Sequence, residues 1–541
     1  MYKIFGFERD RRFGRVAMVE FSTPAKGEPY AYLLGSFNAF NEGSFRMVRS
    51  DDRWKIKVRL PEGVWYYAFS LGGEFKVDSE NPVKRGYKRP SYKFEREASV
   101  AEVRGPGRLF HRPSLTYLYS FAGRTHVILR TARNSATSAT LSFTGEKVEM
   151  RPKARDELFE YWEAVLPGEG ALEYSFEVET AEGFEKLGPF SAVPESLEAP
   201  AWVLERVFYQ VMPDRFAVGI AEKELPLKGE SFYGGDLRGL REHLDHLKGL
   251  GINAIYLTPI FESMTYHGYD VTDYFHTAER LGGDGEFDAL VRELEGFDVR
   301  LILDGVFHHT SFFHPYFQDL IRNGENSRYR DFYRPLKFPV VTREFLNTLE
   351  EDMPWREKYR VLKGLGWDYE AFFSVWLMPR LNHDNPEVVD LIAEVMNHWL
   401  GKGADGWRLD VAHGVPPEVW REVRRRLPAE AYLFGEVMDD GRPWLFDAFH
   451  GVMNYRLYDA LLRFFVLGEI DARGFLNELN LLSTYYGPAE YFTYNFLDNH
   501  DVPRFLDLVE GDAGSYLCAL AFLMTYKGIP ALFYGDEVGL R

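Results

Sequence analysis

Residues 406–414 read GWRLDVAHG. Trp407, Leu409 and Val411 alternate with Arg408 and Asp410, the period of two expected of a strand whose two faces meet different surroundings. A guanidinium and a carboxylate at the end of an otherwise apolar strand make either a structural ion pair or a nucleophile held ionised by its neighbour. The surroundings of this stretch decide between the two. From about residue 200 onward, short apolar runs alternate with amphipathic helical stretches. The predicted strands are 207–211, 252–260, 299–306, 404–411, 431–437, 451–455, 491–499 and 529–537. Buried strands joined by helices imply parallel βα units, and eight such units imply a closed (β/α)8 barrel of the α/β class.

The part before residue 200 has a different pattern. AYLLGSFNAF, RWKIKVRLP and VWYYAFSLGG alternate in the β manner between Gly, Pro and Asn, and a second β-rich segment runs from about 110 to 190. The expected organisation is a β-sandwich over 1–105, a second over 106–195, and the barrel over 196–541, with an insertion after strand 3 at about 310–400. SAVPESLEAPAW (191–202) reads as the linker.

The chain has 541 residues, 45% of them hydrophobic and 16% aromatic, with a net charge of −18. That charge speaks against nucleic acid and anionic membrane as partners, since both demand basic surface. The single cysteine, Cys518, forms no intrachain disulfide. The first residues, MYKIFGFERDRR, show no apolar signal core and no run is long enough to span a bilayer, so a cytoplasmic location is expected. Glutamine occurs only at Gln210 and Gln318, while Glu and Arg are plentiful, a thermophile-like balance.

In a barrel of this kind the reactive groups sit at the C-terminal strand ends. Strand 3 ends in Asp304, His308 and His309, strand 4 in Arg408 and Asp410, strand 5 in Glu436, and strand 7 in His500 and Asp501. The loop after strand 2 adds His267, Tyr269 and Asp270. Packing does not explain so many charged groups on one face, because burying unpaired charge is costly.

These residues give the chain a resemblance. DGVFHH (304–309), GWRLDVAH (406–413), GEV (435–437) and FLDNHD (496–501) resemble, in order, the motifs of the α-amylase family of glycoside hydrolases. MPRLN (378–382), FYQVMPDRF (208–216) and FYGGDLRGL (232–240) look like its neopullulanase, cyclomaltodextrinase and maltogenic amylase branch. The resemblance implies Asp410 as nucleophile, Glu436 as general acid/base and Asp501 as the third carboxylate. It implies Arg408 as the group that keeps Asp410 ionised, braced by Asp304. His267, His500 and His309 fall on the family's substrate-site histidines, and Tyr269 on the platform under the reacting sugar. Trp376 and His413 are candidate acceptor-side contacts. Such a site cleaves an acetal with retention when the two carboxyls stand about 5–5.5 Å apart. The implied substrates are α-glucans such as cyclodextrins, pullulan or maltooligosaccharides. A glucanotransferase would use the same three carboxylates, and a non-catalytic binding relative would lack one of them.

There are departures from the pattern. His308 stands where the family has Asn, VAHG replaces VANE, and Met438 follows Glu436 where the branch often has Trp. The loop AVGIAEKE (217–224) lacks the Asn and Asp that hold calcium in the branch, and only Asp236 remains, so no metal and no other cofactor is expected. His308 and His309, as neighbours in an extended chain, are expected to point apart. The first β-segment resembles a starch-binding module, with Trp65 and Phe75 as candidate sugar-stacking rings. The second resembles the extra N-domain of this branch, which often covers a partner subunit's active site, a resemblance compatible with a homodimer. Arg541 follows closely on strand 8, so the sequence is expected to lack the last barrel helix and a C-terminal β-domain.

Overall fold

The computed structural model describes residues 1–224 and 231–541. Two β-sandwiches precede a barrel. In the first, the sheet Tyr2–Asp10, Gly14–Pro24, Arg53–Pro61, Val48–Ser50 faces the sheet Ala31–Gly35, Gly63–Leu71, Phe94–Val103, Lys84–Arg89. Phe21, Leu33, Phe37, Tyr67 and Phe69 fill the space between them. In the second, strands Arg124–Ala132 and Phe159–Pro167 face Ser138–Phe143 and Leu172–Thr180 across Leu129, Leu141, Trp162 and Phe176.

The barrel strands are β1 (Phe208–Val211), β2 (Ala254–Leu257), β3 (Arg300–Gly305), β4 (Gly406–Leu409), β5 (Tyr432–Gly435), β6 (Gly451–Val452), β7 (Tyr494–Asn495) and β8 (Ile529–Phe533). The parallel ladder runs β6-β5-β4-β3-β2-β1-β8-β7. A bridge between Met453 and Tyr494 joins its two ends. Gly451 makes that closure sterically possible: a Cβ there would lie 1.8 Å from the carbonyl oxygen of Phe492. The strands are apolar on both faces because side chains fill the barrel and helices cover it. The excursion after β3 ends sooner than expected. Helix Pro386–Gly401 is already the barrel helix that leads into β4, and it buries Val388, Ile392, Val395, Met396 and Trp399.

The first sandwich docks on the barrel beside the ends of β3, β4 and β5. At Gly43 a Cβ would lie 2.3 Å from the Gly414 carbonyl oxygen, so only glycine permits that approach. Asp439 and Asp440, three and four residues after Glu436, are held from this side. Tyr87, Arg89 and Tyr92 donate to the Asp439 carboxylate, and Asp440 N donates to Ser36 O at 3.2 Å. Nearby, Tyr32 and Arg46 of the sandwich meet Glu370 and Arg380 of the excursion, with Glu42 beside Arg380.

Two expected sugar-stacking rings belong to this packing. Trp65 is 1% exposed; it contacts Phe37, donates to Pro61 O, and lies under the Arg442 guanidinium. Phe75 is half-buried against Phe94 and under Arg96. Trp65 is not free to stack on a sugar, because its ring is enclosed by its own neighbours.

Arg380→Met should lower the stability of the folded chain by about 3 kcal/mol, because it strips a partner from the buried Glu370 carboxylate. Chemical-denaturant unfolding of the two proteins checks this; an unchanged midpoint would contradict the coupling.

Candidate active site

The turn after β4 does not continue the strand alternation. Asp410 N still donates to Gly305 O at 3.0 Å, but Val411 enters the left-handed region at φ 44°, ψ 41°. A β-branched residue is costly there and is held only where its surroundings fix it. Val411 N donates to Glu436 Oε2 at 2.8 Å, so the strained turn links the backbone beside Asp410 to the end of β5.

Arg408 lies inside the barrel mouth with no exposure. Its Nη1 donates to Asp410 Oδ1 at 2.7 Å and to Asp304 Oδ1 at 3.0 Å. Its Nη2 faces Glu436 Oε2 at 3.1 Å, off the hydrogen-bond axis, and lies 3.9 Å from Asp501 Oδ2. Four carboxylates from the ends of β3, β4, β5 and the β7 loop thus surround one guanidinium. Asp501 is the most accessible of them, with its side chain 35% exposed.

The pull of Arg408 favours the ionised form of Asp410, the role expected of it, and works against burial. Burial pushes the Asp410 carboxyl well above its usual range; Arg408 opposes this, while Glu436 and Asp304 add to it. Burial likewise raises Asp304 against the pull of Arg408. Arg408 does not fully offset the burial of Asp410 and Asp304, so these two carboxyls hold their protons above the usual range. A protonated acid beside an ionised carboxylate is what acetal cleavage requires.

Tyrosines and histidines frame the carboxylates. Tyr256 and Tyr269 both donate to Asp304 Oδ2, at 2.6 and 2.9 Å. His500 Nδ1 accepts from the Gln210 amide at 2.7 Å, which places its proton on Nε2. That nitrogen lies 2.5 Å from the Tyr269 oxygen and 3.3 Å from Asp501 Oδ2. His267 Nδ1 accepts from Tyr269 N at 3.1 Å. Burial pushes His500 down to about 4 and His267 down to about 3, so both imidazoles are neutral near pH 7.

The other expected residues divide by burial. His309 donates from Nε2 to Tyr269 O at 2.9 Å, and Asp304 is buried behind Arg408, so both support the site from beneath. His413 is also a support: its Nδ1 bonds Glu436 O at 2.8 Å and its ring is buried. Trp376 is not an acceptor-side ring. It is fully buried among Phe312, Phe345, Trp355 and Tyr359 in the core of the excursion. Asp270 caps its own loop through Thr265 and Met264 N. His308 and His309 do not point apart; their Nδ1 atoms are 3.2 Å from one another, because both lie beyond the end of β3 where strand alternation no longer applies.

Four residues absent from the sequence-derived set complete the frame: Gln210, Tyr256, Met453 and Tyr455. Met453 puts its sulfur 3.4 Å from Arg408 Nε, and Tyr455 OH accepts from Asn499 Nδ2 at 3.2 Å. Gln210 alone carried a signal, as one of two glutamines in a chain that otherwise avoids them.

A calcium site at Asp236 does not fit the residues present. The carboxylate accepts backbone N–H groups from Gly219, Ile220 and Gly239 and the ammonium of Lys223, which leaves no oxygen for a metal. Among the described residues no cluster of three or more His, Cys, Asp or Glu is arranged to hold a metal ion.

Comparison with known proteins gives the same picture. Residues 210–541 match the family described as alpha amylase, catalytic domain, and residues 108–212 match alpha amylase, N-terminal ig-like domain. A cyclomaltodextrinase of Bacillus sp is 34% identical over 80% of this chain and 82% of its own length. Neopullulanase 2 of Thermoactinomyces vulgaris is 35% identical over 71% of this chain and 68% of its own. The crystal structure of a maltogenic amylase from S. marinus superposes with a TM-score of 0.87 at 26% identity, covering 100% of this chain and 84% of that one.

Because the buried carboxyls take up protons at unusually high pH, turnover should decline on the acid side well above the ordinary aspartate range. Arg408→Met removes the group that most opposes burial and should move this limb upward by about 1–3 pH units. The profile of kcat/KM against pH checks the shift; a limb that stays in place would refute it.

Proposed function

This chain belongs to the alpha-amylase family of hydrolases, and we propose that it cleaves α-1,4 bonds, and α-1,6 bonds as a second class, in cyclodextrins, pullulan or short maltooligosaccharides with retention of configuration. The observation that carries this reading is the contact of Arg408 with Asp410, Glu436 and Asp304 at one barrel mouth, with Asp501 at its rim. The names of its relatives, cyclomaltodextrinase, neopullulanase and maltogenic amylase, support the substrate class.

In the proposed reaction, Asp410 Oδ1 stays on Arg408 while the other oxygen attacks the anomeric carbon. Glu436 is held through Oε2 by Val411 N and gives its proton to the departing glycosidic oxygen. The resulting ester between Asp410 and the sugar is opened by water, which loses its proton to Glu436 and forms the new bond to the anomeric carbon as the carboxylate leaves. Asp501 grips ring hydroxyls beside His500, and the Tyr269 ring supports the sugar from below. Neutral imidazoles suit a neutral ligand, because they donate without adding charge near the developing oxocarbenium ion.

Among the described residues no helix is long and apolar enough to cross a membrane. We propose a cytoplasmic site of action, in keeping with a Bacillus subtilis relative named intracellular maltogenic amylase.

Asp410→Asn and Glu436→Gln should each reduce turnover by at least about 10³-fold with the thermal transition intact. Parallel incubation with cyclodextrin, pullulan and starch, read by chromatography, should show linear maltose and glucose. Elongated or cyclic products in excess would assign a glucanotransferase, and near-normal rates in either variant would overturn the assignment.

A further inference from the structure

Beyond β1, the described residues up to 224 and those from 231 meet at one buried ion pair. Asp236 has no exposure and stands at the start of helix Leu237–Arg241. Its carboxylate accepts N–H groups from Ile220 and Gly239 at 2.8 Å each and from Gly219 at 3.1 Å. Lys223 Nζ donates to Asp236 Oδ2 at 2.7 Å and to Gly234 O at 2.6 Å, with its side chain 11% exposed. An oxygen-lined pocket gathered around one positive centre is the arrangement a hard cation would impose, and here an ammonium of the chain itself supplies the charge. Burial pushes the Asp236 carboxyl up, but Lys223 and the backbone N–H groups together bring it below its usual range.

The residues around this pair bear on the site. Asp214 accepts from Tyr233 N at 3.0 Å, and Asp236 N donates to Ala217 O at 2.9 Å, which binds the two limbs together. The Arg215 guanidinium lies between the rings of Tyr233 and Tyr266, 5.0 and 4.8 Å from their centres. Arg280, 3.8 Å from Asp214, donates to Tyr266 O at 3.3 Å. The Tyr266 ring meets His267 edge-on at 5.3 Å. The loop that presents His267 therefore rests on Asp214, Arg215 and Tyr233, beside the Lys223–Asp236 pair.

We propose that Lys223 is the built-in cation of this region: through Asp236 and the Gly234 carbonyl it positions the His267 loop, and it makes the site independent of divalent metal. A divalent ion entering here would have to expel the ammonium and take over all of its partners. Lys223 is thus a positioning residue; the part of the inference that concerns substrate rests on His267 as a sugar ligand.

The test uses the full chain and three readouts. The wild-type melting temperature should be the same after exhaustive chelation and after addition of calcium chloride. Lys223→Met keeps the aliphatic stem and removes the charge. It should speed hydrogen exchange at the amides of Gly219, Ile220 and Gly239, and raise KM for a cyclodextrin several-fold with kcat nearly unchanged; Lys223→Arg should restore most of both. A wild-type melting temperature that falls on chelation or rises with calcium would overturn the inference, as would unchanged amide exchange in Lys223→Met. If Lys223→Met fails to fold, the wild-type metal response and amide exchange in Lys223→Arg still decide. If exchange speeds up while KM stays constant, the built-in cation stands and its coupling to His267 falls. If neither wild type nor variants cleave any glucan, the functional reading fails while the exchange and metal results still stand.

Discussion

Arg408 is the constraint on which the rest of the mouth depends. A guanidinium with no access to water is tolerable only if carboxylates and hydrogen-bond acceptors replace its hydration. Here the partners come from four different strand ends, so no single segment could supply them. The barrel must close for them to meet, and closure in turn depends on the short contact at Gly451. The positive charge is also too small for its neighbours. Burial therefore raises Asp410 and Asp304 above the usual carboxyl range in spite of Arg408.

The support around this cluster is neutral and heavily hydrogen-bonded. Tyr256 and Tyr269 point their hydroxyls at Asp304, and Gln210 fixes which nitrogen of His500 carries the proton. Each such bond satisfies a buried polar atom and also sets the orientation of a group that faces the mouth. Val411 shows the same economy in the backbone: its strained turn ties the end of β4 to Glu436.

The first β-sandwich takes part in this construction. Its side chains Tyr87, Arg89 and Tyr92 hold Asp439, and its loop at Gly43 touches the turn that follows Asp410. A domain that resembles a starch-binding module in sequence is therefore also a wall of the barrel mouth. Its aromatic residues are largely committed to its own core and to this junction, as Trp65 illustrates.

Much of this was legible in the linear order of residues. Eight short apolar runs separated by helical stretches state a barrel, because only parallel strands covered on both faces have that pattern. The residues just beyond those runs name the mouth, since a strand end fixes where its next side chains go. What the order of residues could not state was which aromatic or histidine side chains face substrate and which lie beneath. Trp376 and His413 are packed inside, although nothing in their neighbours distinguishes them from rim residues. Nor could it pair Lys223 with Asp236, or Gln210 with His500. Gln210 and His500 are 290 residues apart, and burial and hydrogen bonding depend on distances that exist only after the chain has folded.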